Sequence, residues 1–331
     1  MKDELKNKLP KGFKLINTTD NFIELVNYAK RGAIRGVDLG FKAIQEFYTM
    51  SIPGVTDWTG FPMSGKSQLL LEFLLNTSIF YGWKHLIYMP DVGNETEIMA
   101  DLIHKKTGKT FDKRYQNHIT EKEISNAGMF IDQHFFILTK EDLKAKMSPY
   151  EFWDYAVELK KSIGIHTATI DAWKDLRHDT HLFAREDKYL EDVLSYRNAL
   201  AEKHKLHIHT IIHPTRTEKD KNGFRKAPTP YDIKGGTEWF NNGKSIITVH
   251  RPQGEDKKAE NIVEIYFNKI KPRSIGSVGM AELYFDVAKF RYYEEINGKR
   301  KYARKELDAE INPDDVKQFV DFDIDPKDIP F

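Results

Sequence analysis

The chain of 331 residues contains no cysteine. That absence excludes a disulfide framework, thiolate zinc sites and any cysteine nucleophile. No apolar run approaches the roughly 18 residues needed to span a bilayer. The opening Met-Lys-Asp-Glu-Leu-Lys lacks the apolar core of a secretory signal. There is no internal repeat and no low-complexity linker. A net charge of one sign is also missing, with 51 basic against 50 acidic side chains. What remains, 40% hydrophobic and 31% charged residues, is the make-up of a soluble, cytoplasmic globular protein with no membrane partner. Its length allows a large core without covalent staples.

The near-neutral total hides an asymmetry. From Glu306 onward nine acidic residues face two lysines, so the rest of the chain is mildly basic. A basic body with an acidic tail suits a protein that handles nucleic acid.

Three segments follow from the patterning: an arm with a short helix (1–34), an α/β core (35–295) and an acidic, flexible tail (296–331). Residues 20–31 read as an amphipathic helix, capped by Asp20 and ended by Gly32, with Phe22, Ile23, Val26 and Ala29 on one face. A helix this short needs a docking partner, either its own domain or a neighbouring subunit. Between 35 and 295 strands and helices alternate, the mark of a mainly parallel sheet covered on both faces. Helices are expected at 67–81, 95–106, 149–163 and 186–204. Strands are expected at 84–89, 134–138, 165–170 and 206–212, then at 245–250, 261–268 and 279–285.

Gly60-Phe61-Pro62-Met63-Ser64-Gly65-Lys66-Ser67 matches G-x-x-x-x-G-K-[ST], the P-loop. Its glycines let backbone N–H groups turn inward around phosphate oxygens, and the helix that begins at 66–67 and continues through Gln68 points its positive end at the same anion. Lys66 is expected on the β- and γ-phosphates and the Ser67 hydroxyl on Mg²⁺. Extended residues before Gly60 and the helical Gln-Leu-Leu-Leu after it supply the required context. ATP with Mg²⁺ is therefore the expected ligand pair. The second metal carboxylate of a P-loop protein stands at the end of a buried strand. Asp171, after Ile-His-Thr-Ala-Thr-Ile, fits, although an aspartate there is also a common turn residue. His204, His207 and His209 lack the companions of a metal set and read as structural. His213 ends a strand and faces the γ-phosphate position.

These motifs, taken in order, resemble a known family. Thr59 to Ser67, Ile170-Asp-Ala-Trp-Lys-Asp-Leu176, Ile212-His-Pro-Thr-Arg216, Pro228 to Gly236, Val249-His-Arg251 and Lys269-Ile-Lys-Pro-Arg-Ser-Ile-Gly276 follow the pattern of Twinkle-like and DnaB-like replicative helicases of superfamily 4. The resemblance covers residues 20–295. It implies a RecA-like α/β ATPase core that assembles as a hexamer around single-stranded DNA, with ATP between subunits and the helix at 20–31 packed on the neighbour. It also implies roles: Lys66 and Ser67 on phosphate and Mg²⁺, Asp171 as the Walker B carboxylate, His213 as γ-phosphate sensor. Asp91 falls where the family has its catalytic glutamate. Arg251, Lys269 and Lys271 are implied to reach across to the neighbour's nucleotide.

The sequence departs from the family at three places. Asp91 is one methylene shorter than glutamate, and Glu95 or Glu97 is the expected substitute. Lys271 stands where arginine is usual and cannot make a bidentate fork to phosphate, with Arg273 the expected compensation. The stretch 235–243 lacks an aspartate the family usually shows. Slow hydrolysis is the consequence expected.

The expected partners are single-stranded DNA, further copies of the chain, and a replication protein. No fused primase is expected, so priming falls to another protein, and a phage or mobile element in a bacterial cell suits such a compact chain. The last residues, ending Asp-Ile-Pro-Phe331, resemble the tip of bacterial single-stranded-DNA-binding proteins, which implies docking of Phe331 and its carboxylate in a basic-rimmed apolar pocket. Residues 216–227 and 234–244 are the expected DNA loops. The leading reading is an ATP-driven helicase. The alternatives are a RecA-like ATPase that binds DNA or a partner without unwinding, as a loader or recombination mediator, and a P-loop small-molecule kinase.

Overall fold

The computed structural model describes residues 9–14, 16, 18, 19, 21–31, 36–142, 144–215, 219, 221, 224–252 and 261–303. The chain divides into two units, residues 1–35 and residues 36–331. In the first, helix α1 (Phe22–Arg31) leaves Phe22, Ile23 and Leu25 exposed. The expected cap Asp20 and stop Gly32 lie outside the described residues.

The second unit runs α2 (Lys42–Gln45), β1 (Gly54–Thr59), α3 (Lys66–Tyr81), β2 (His85–Tyr88), α4 (Glu95–Thr107), α5 (Glu121–His134), β3 (Phe135–Ile137), α6 (Pro149–Ile163), β4 (Thr167–Ile170), α7 (Glu186–His204), β5 (His207–Ile212), α8 (Gly236–Asn242), β6 (Ser245–His250), β7 (Ile262–Lys269), β8 (Gly279–Asp286), β9 (Arg291–Ile296) and β10 (Lys299–Tyr302). Among the described residues ten strands form one sheet, ordered β10-β9-β8-β7-β6-β1-β5-β4-β2-β3. The six from β6 to β3 are parallel, and the four beyond β6 are antiparallel.

Alternation along the parallel strands explains the two cores. Ile87, Trp58 and Ile211 join one apolar cluster with Leu69–Leu75 of α3. Their strand neighbours Leu86, Tyr88 and Ile212 join another with Trp153 of α6 and Leu194 of α7. A strand whose successive side chains face opposite helical layers is buried throughout, as β1, β2, β4, β5 and β6 nearly are. Helix α3 runs through the first layer with Leu69, Leu70, Leu71, Phe73, Leu74 and Leu75 all fully buried, and Gly82 ends it in the left-handed conformation.

Three features depart from the sequence pattern. Helix α5, absent from the elements expected, opens with a capping box of Thr120 and Glu123 and runs unbroken through Gly128. The segment 234–244 is not a loop: α8 occupies its centre and buries Trp239. The sheet also continues past residue 295, because β10 pairs with β9 through Tyr302. The acidic residues from Glu306 to Phe331 lie outside the described residues.

Candidate nucleotide-binding site

One edge of the sheet carries the chemistry. The P-loop follows β1, Asp91 follows β2, Asp171 follows β4, His213 follows β5 and Arg251 follows β6. Strands that run the same way deliver all five residues to the same edge, the crevice at which open parallel sheets bind ligands.

The loop 60–65 needs its glycines. A Cβ at Gly60 would lie 2.2 Å from the Val249 carbonyl, and Gly65 has φ 91°. Lys66 is almost fully buried, and its Nζ donates back to the Phe61 carbonyl at 3.1 Å. Burial lowers its pKa, against the opposing pull of Asp171 and Asp91. The Ser67 hydroxyl donates to the Asp171 carboxylate in a short bond. Asp171, joined to Ala172 by a cis peptide, is 1% exposed. Burial pushes it up to about 6 despite the Ser67 hydroxyl and the nearby Lys66.

Asp91 and His213 complete the cluster. His213 Nε2 lies 3.1 Å from Asp91 Oδ2, and Lys174 Nζ lies 2.7 Å from Asp91 Oδ1. Burial pushes Asp91 up, but the Lys174 ammonium and His213 outweigh it and hold the carboxyl below its ordinary value. Burial and Lys66 lower His213, so the ring is neutral at pH 7 and its Nε2–H donates to Asp91. Ligand atoms of Asp91, Asp171 and His213 lie within 4.8 Å of one another. The Ser67 and Asp171 oxygens form a donor set suited to a hard cation such as Mg²⁺.

The cleft above this cluster has a volume of about 780 Å³. Its far wall is Arg251, Phe285, Phe290 and Tyr292. The Arg251 guanidinium stands 6.0 Å from the Phe285 ring centre, and the Tyr292 hydroxyl donates to the Gly65 carbonyl at 3.1 Å. Ser64 Oγ, Gln68 Oε1, His213 Nδ1 and Arg251 Nε are buried with no hydrogen-bond partner among the described residues. Buried polar atoms are normally paired; Ser64 Oγ and Arg251 Nε can donate to phosphate oxygens while Gln68 Oε1 and His213 Nδ1 can accept, so the set fits a polar ligand that bears phosphate.

No family model matches the chain. In sequence it is 26% identical over 283 residues to the Twinkle homolog protein, chloroplastic/mitochondrial, of Arabidopsis thaliana. The match takes in 82% of this chain, which spans 38% of the length of that relative. In structure it superposes on the ATPase domain of G40P with a TM-score of 0.70 at 16% identity, covering 86% of this chain and all of that one. A DnaB-like replicative helicase, solved with a view to its interactions with primase, gives a TM-score of 0.64 at 16% identity, with 88% and 69% covered. The fold is that of the DnaB-like ATPase domains. The resemblance read from the sequence motifs is borne out by the Twinkle homologue and by these structures.

Within this fold the residues implied to reach a neighbour's nucleotide fall at two different edges of the sheet. Arg251 lines the cleft of its own P-loop, because β6 is parallel to β1 and ends at the same edge. Lys269 sits at the opposite edge, since antiparallel β7 pairs it with Ile246 at the start of β6. There it is 9% exposed, and its Nζ donates to the carbonyls of Phe240 and Asn241 at the end of α8. Burial lowers its pKa, with Lys271 adding to the effect. A buried ammonium on a helix C-terminus is a structural arrangement rather than a reach toward phosphate. Lys271 and Arg273 are exposed beside it, on a second cleft with Lys244.

Glu95 and Glu97 do not replace Asp91. Glu97 closes the capping box of α4, accepting from Asn94 N at 2.7 Å, and neither glutamate lines the cleft. His207 and His209 are buried in the sheet, with His207 bonded to Thr56 and the Ser51 carbonyl. Sequence reasoning missed Lys174, Phe285, Phe290 and Tyr292. Lys174 lay inside a motif already singled out, three residues after Asp171. The aromatics come from strands and a turn with no motif of their own.

Proposed function

We propose that this cleft binds ATP with Mg²⁺ and hydrolyses the γ-phosphate, and that the hydrolysis drives a ring of identical subunits along single-stranded DNA in replication. The observation that carries the reading is the convergence of Lys66, Ser67, Asp171, Asp91 and His213 at one sheet edge, in a chain similar to a Twinkle homologue.

In this reading Lys66 leaves the Phe61 carbonyl to hold the terminal phosphates, while the loop amides grip the β-phosphate. Ser67 and Asp171 hold Mg²⁺, which supplies charge neutralisation on the phosphate oxygens when bound. Asp91 orients the attacking water and accepts its proton, and His213, protonated on both nitrogens once the triphosphate is bound, links the γ-phosphate to Asp91. Arg251 and Phe285 clamp the base between a guanidinium and an aromatic face. Lys271 and Arg273, exposed at the opposite edge, serve the site of the neighbouring subunit.

The DNA contacts proposed are in the basic loop at 216–227, of which Lys219, Lys221 and residues 224–227 are described. The Arg225 guanidinium stands 5.3 Å from the ring of Phe61 in the P-loop, a physical link between that loop and the phosphate site. Affinity for single strands should fall steeply with salt. Trp239 is buried under α7 and cannot stack on a base. The acidic tail ending at Phe331 is proposed to dock a replication partner.

A second reading, DNA binding gated by nucleotide without unwinding, draws support from Asp91, a short carboxylate engaged at both oxygens. Strand displacement from a forked DNA distinguishes the two. Unwinding that needs ATP and is lost in Lys66→Ala supports the motor; ATP-dependent DNA binding without displacement, with and without a loader, supports the second reading.

A further inference from the structure

Lys174 lines the cleft and reaches Asp91 from the side opposite His213's contact on that carboxylate. The turn that bears Lys174, Trp173–Asp175, begins two residues after Asp171. Trp173 fastens that turn: its ring packs against Trp153 and edge-on against Trp239, and His178 donates to its carbonyl at 2.8 Å. The backbone of Lys174 is thus anchored, while its side chain is more than half exposed and spans to Asp91. Lys66 and Lys174 both line the cleft, the first on the P-loop and the second on the Asp91 side. With Arg251 they set three cations against the two anions Asp91 and Asp171, a net positive charge before any ligand enters. Each Asp91 oxygen already has a partner, Lys174 on one and His213 on the other.

We propose that Lys174 is a positioning residue that reads the γ-phosphate: it holds Asp91 until a triphosphate enters, then turns to the terminal phosphate and frees one Asp91 oxygen for the attacking water. The physical reason is charge. A terminal phosphate carries more negative charge than one carboxylate and presents more acceptor oxygens, so the ammonium moves to it. A diphosphate ends short of this position, stays with Lys66, and leaves the Lys174–Asp91 pair intact. Lys174 therefore makes the site prefer ATP to ADP as well as arming it. The inference rests on the hydrolytic reading above.

The test measures equilibrium affinities for ATP and ADP, and steady-state hydrolysis with single-stranded DNA, on wild type, Lys174→Met and Lys174→Arg. Lys174→Met should weaken ATP roughly tenfold, the scale of one charge-assisted bond, and lower kcat. Its ADP affinity should stay within about twofold of wild type, which also shows that the variant folds. Lys174→Arg should restore most of the ATP preference. If wild type hydrolyses ATP and Lys174→Met leaves the ratio of ATP to ADP affinity unchanged, the inference fails and the hydrolytic reading stands. A wild type that neither binds nor hydrolyses ATP overturns both.

Discussion

Arg251 and Lys66 face one cleft, the first from the end of β6 and the second from the start of α3. Lys271 and Arg273 stand at the other edge of the same sheet, a strand length of about 20 Å away. Mixing variants separates residues that serve their own P-loop from residues that serve a neighbour's. Lys66→Ala mixed with Arg251→Ala should recover no ATP hydrolysis, because each chain lacks part of its own site. Lys66→Ala mixed with a Lys271→Ala/Arg273→Ala chain should recover a fraction, since some sites then combine intact halves. Recovery in the first mixture would return Arg251 to a role across the subunit boundary.

Asp91 and Glu97 should part company on mutation. Asp91→Asn should lower kcat by about two orders of magnitude or more, the usual cost of losing a general base, while nucleotide affinity is kept. Glu97→Ala removes half of a capping box and should cost about 1 kcal/mol of stability, with kcat little changed. Steady-state kinetics beside urea unfolding reads both.

The buried pair Asp57–Arg197 ties α7 to β1. Its atoms approach to 2.5 and 3.2 Å, both side chains are at most 1% exposed, and Thr210 takes a further bond from the guanidinium at 3.1 Å. Removing one partner strands a buried charge, so Arg197→Met should destabilise by roughly 3–5 kcal/mol. The double variant Asp57→Val/Arg197→Met should recover part of that loss. Urea unfolding of the single and double variants measures it.

Much of this arrangement was legible in the sequence, for a physical reason. The P-loop needs glycine where φ is positive or backbone approaches closely, so Gly60 and Gly65 announce it. Helix α6 begins at the Ser148–Glu151 capping box and ends at Gly164, and α7 covers the residues 186–204 expected of it. Less legible were features set by tertiary contact. Which edge of the sheet Lys269 and Arg251 reach depends on whether β6 and β7 run parallel or antiparallel, and local patterning does not carry strand direction. Lys174 gains its meaning only from Asp91, which is far from it in sequence. Trp239 reads as a loop aromatic until α8 turns it onto Arg197.

Three histidines give the fold a sign with pH. His85, His207 and His209 are buried in the central strands, among Tyr48, Thr56, Trp58, Thr77, Ser78 and Thr167. Burial lowers all three, His207 to about 4 and the other two well below the ordinary 6.5; the neighbouring histidines deepen the effect for His85 and His209. Between those values the unfolded chain binds more protons than the folded one. Their contribution is therefore complete above pH 6.5 and is lost as pH falls; for His207 the loss is about 2 kcal/mol at pH 5, and His85 and His209 act in the same direction. Thermal unfolding from pH 8 to pH 5 should show a falling midpoint, and His207→Gln should flatten the slope.

The most direct test is ATP hydrolysis by wild type and Lys66→Ala, with and without single-stranded DNA, while oligomer mass is followed. The account expects hydrolysis by an oligomer of about six subunits, stimulated by DNA and abolished in Lys66→Ala. ATP bound without any response of turnover to DNA would contradict it, and would leave a nucleotide-gated binding protein in its place.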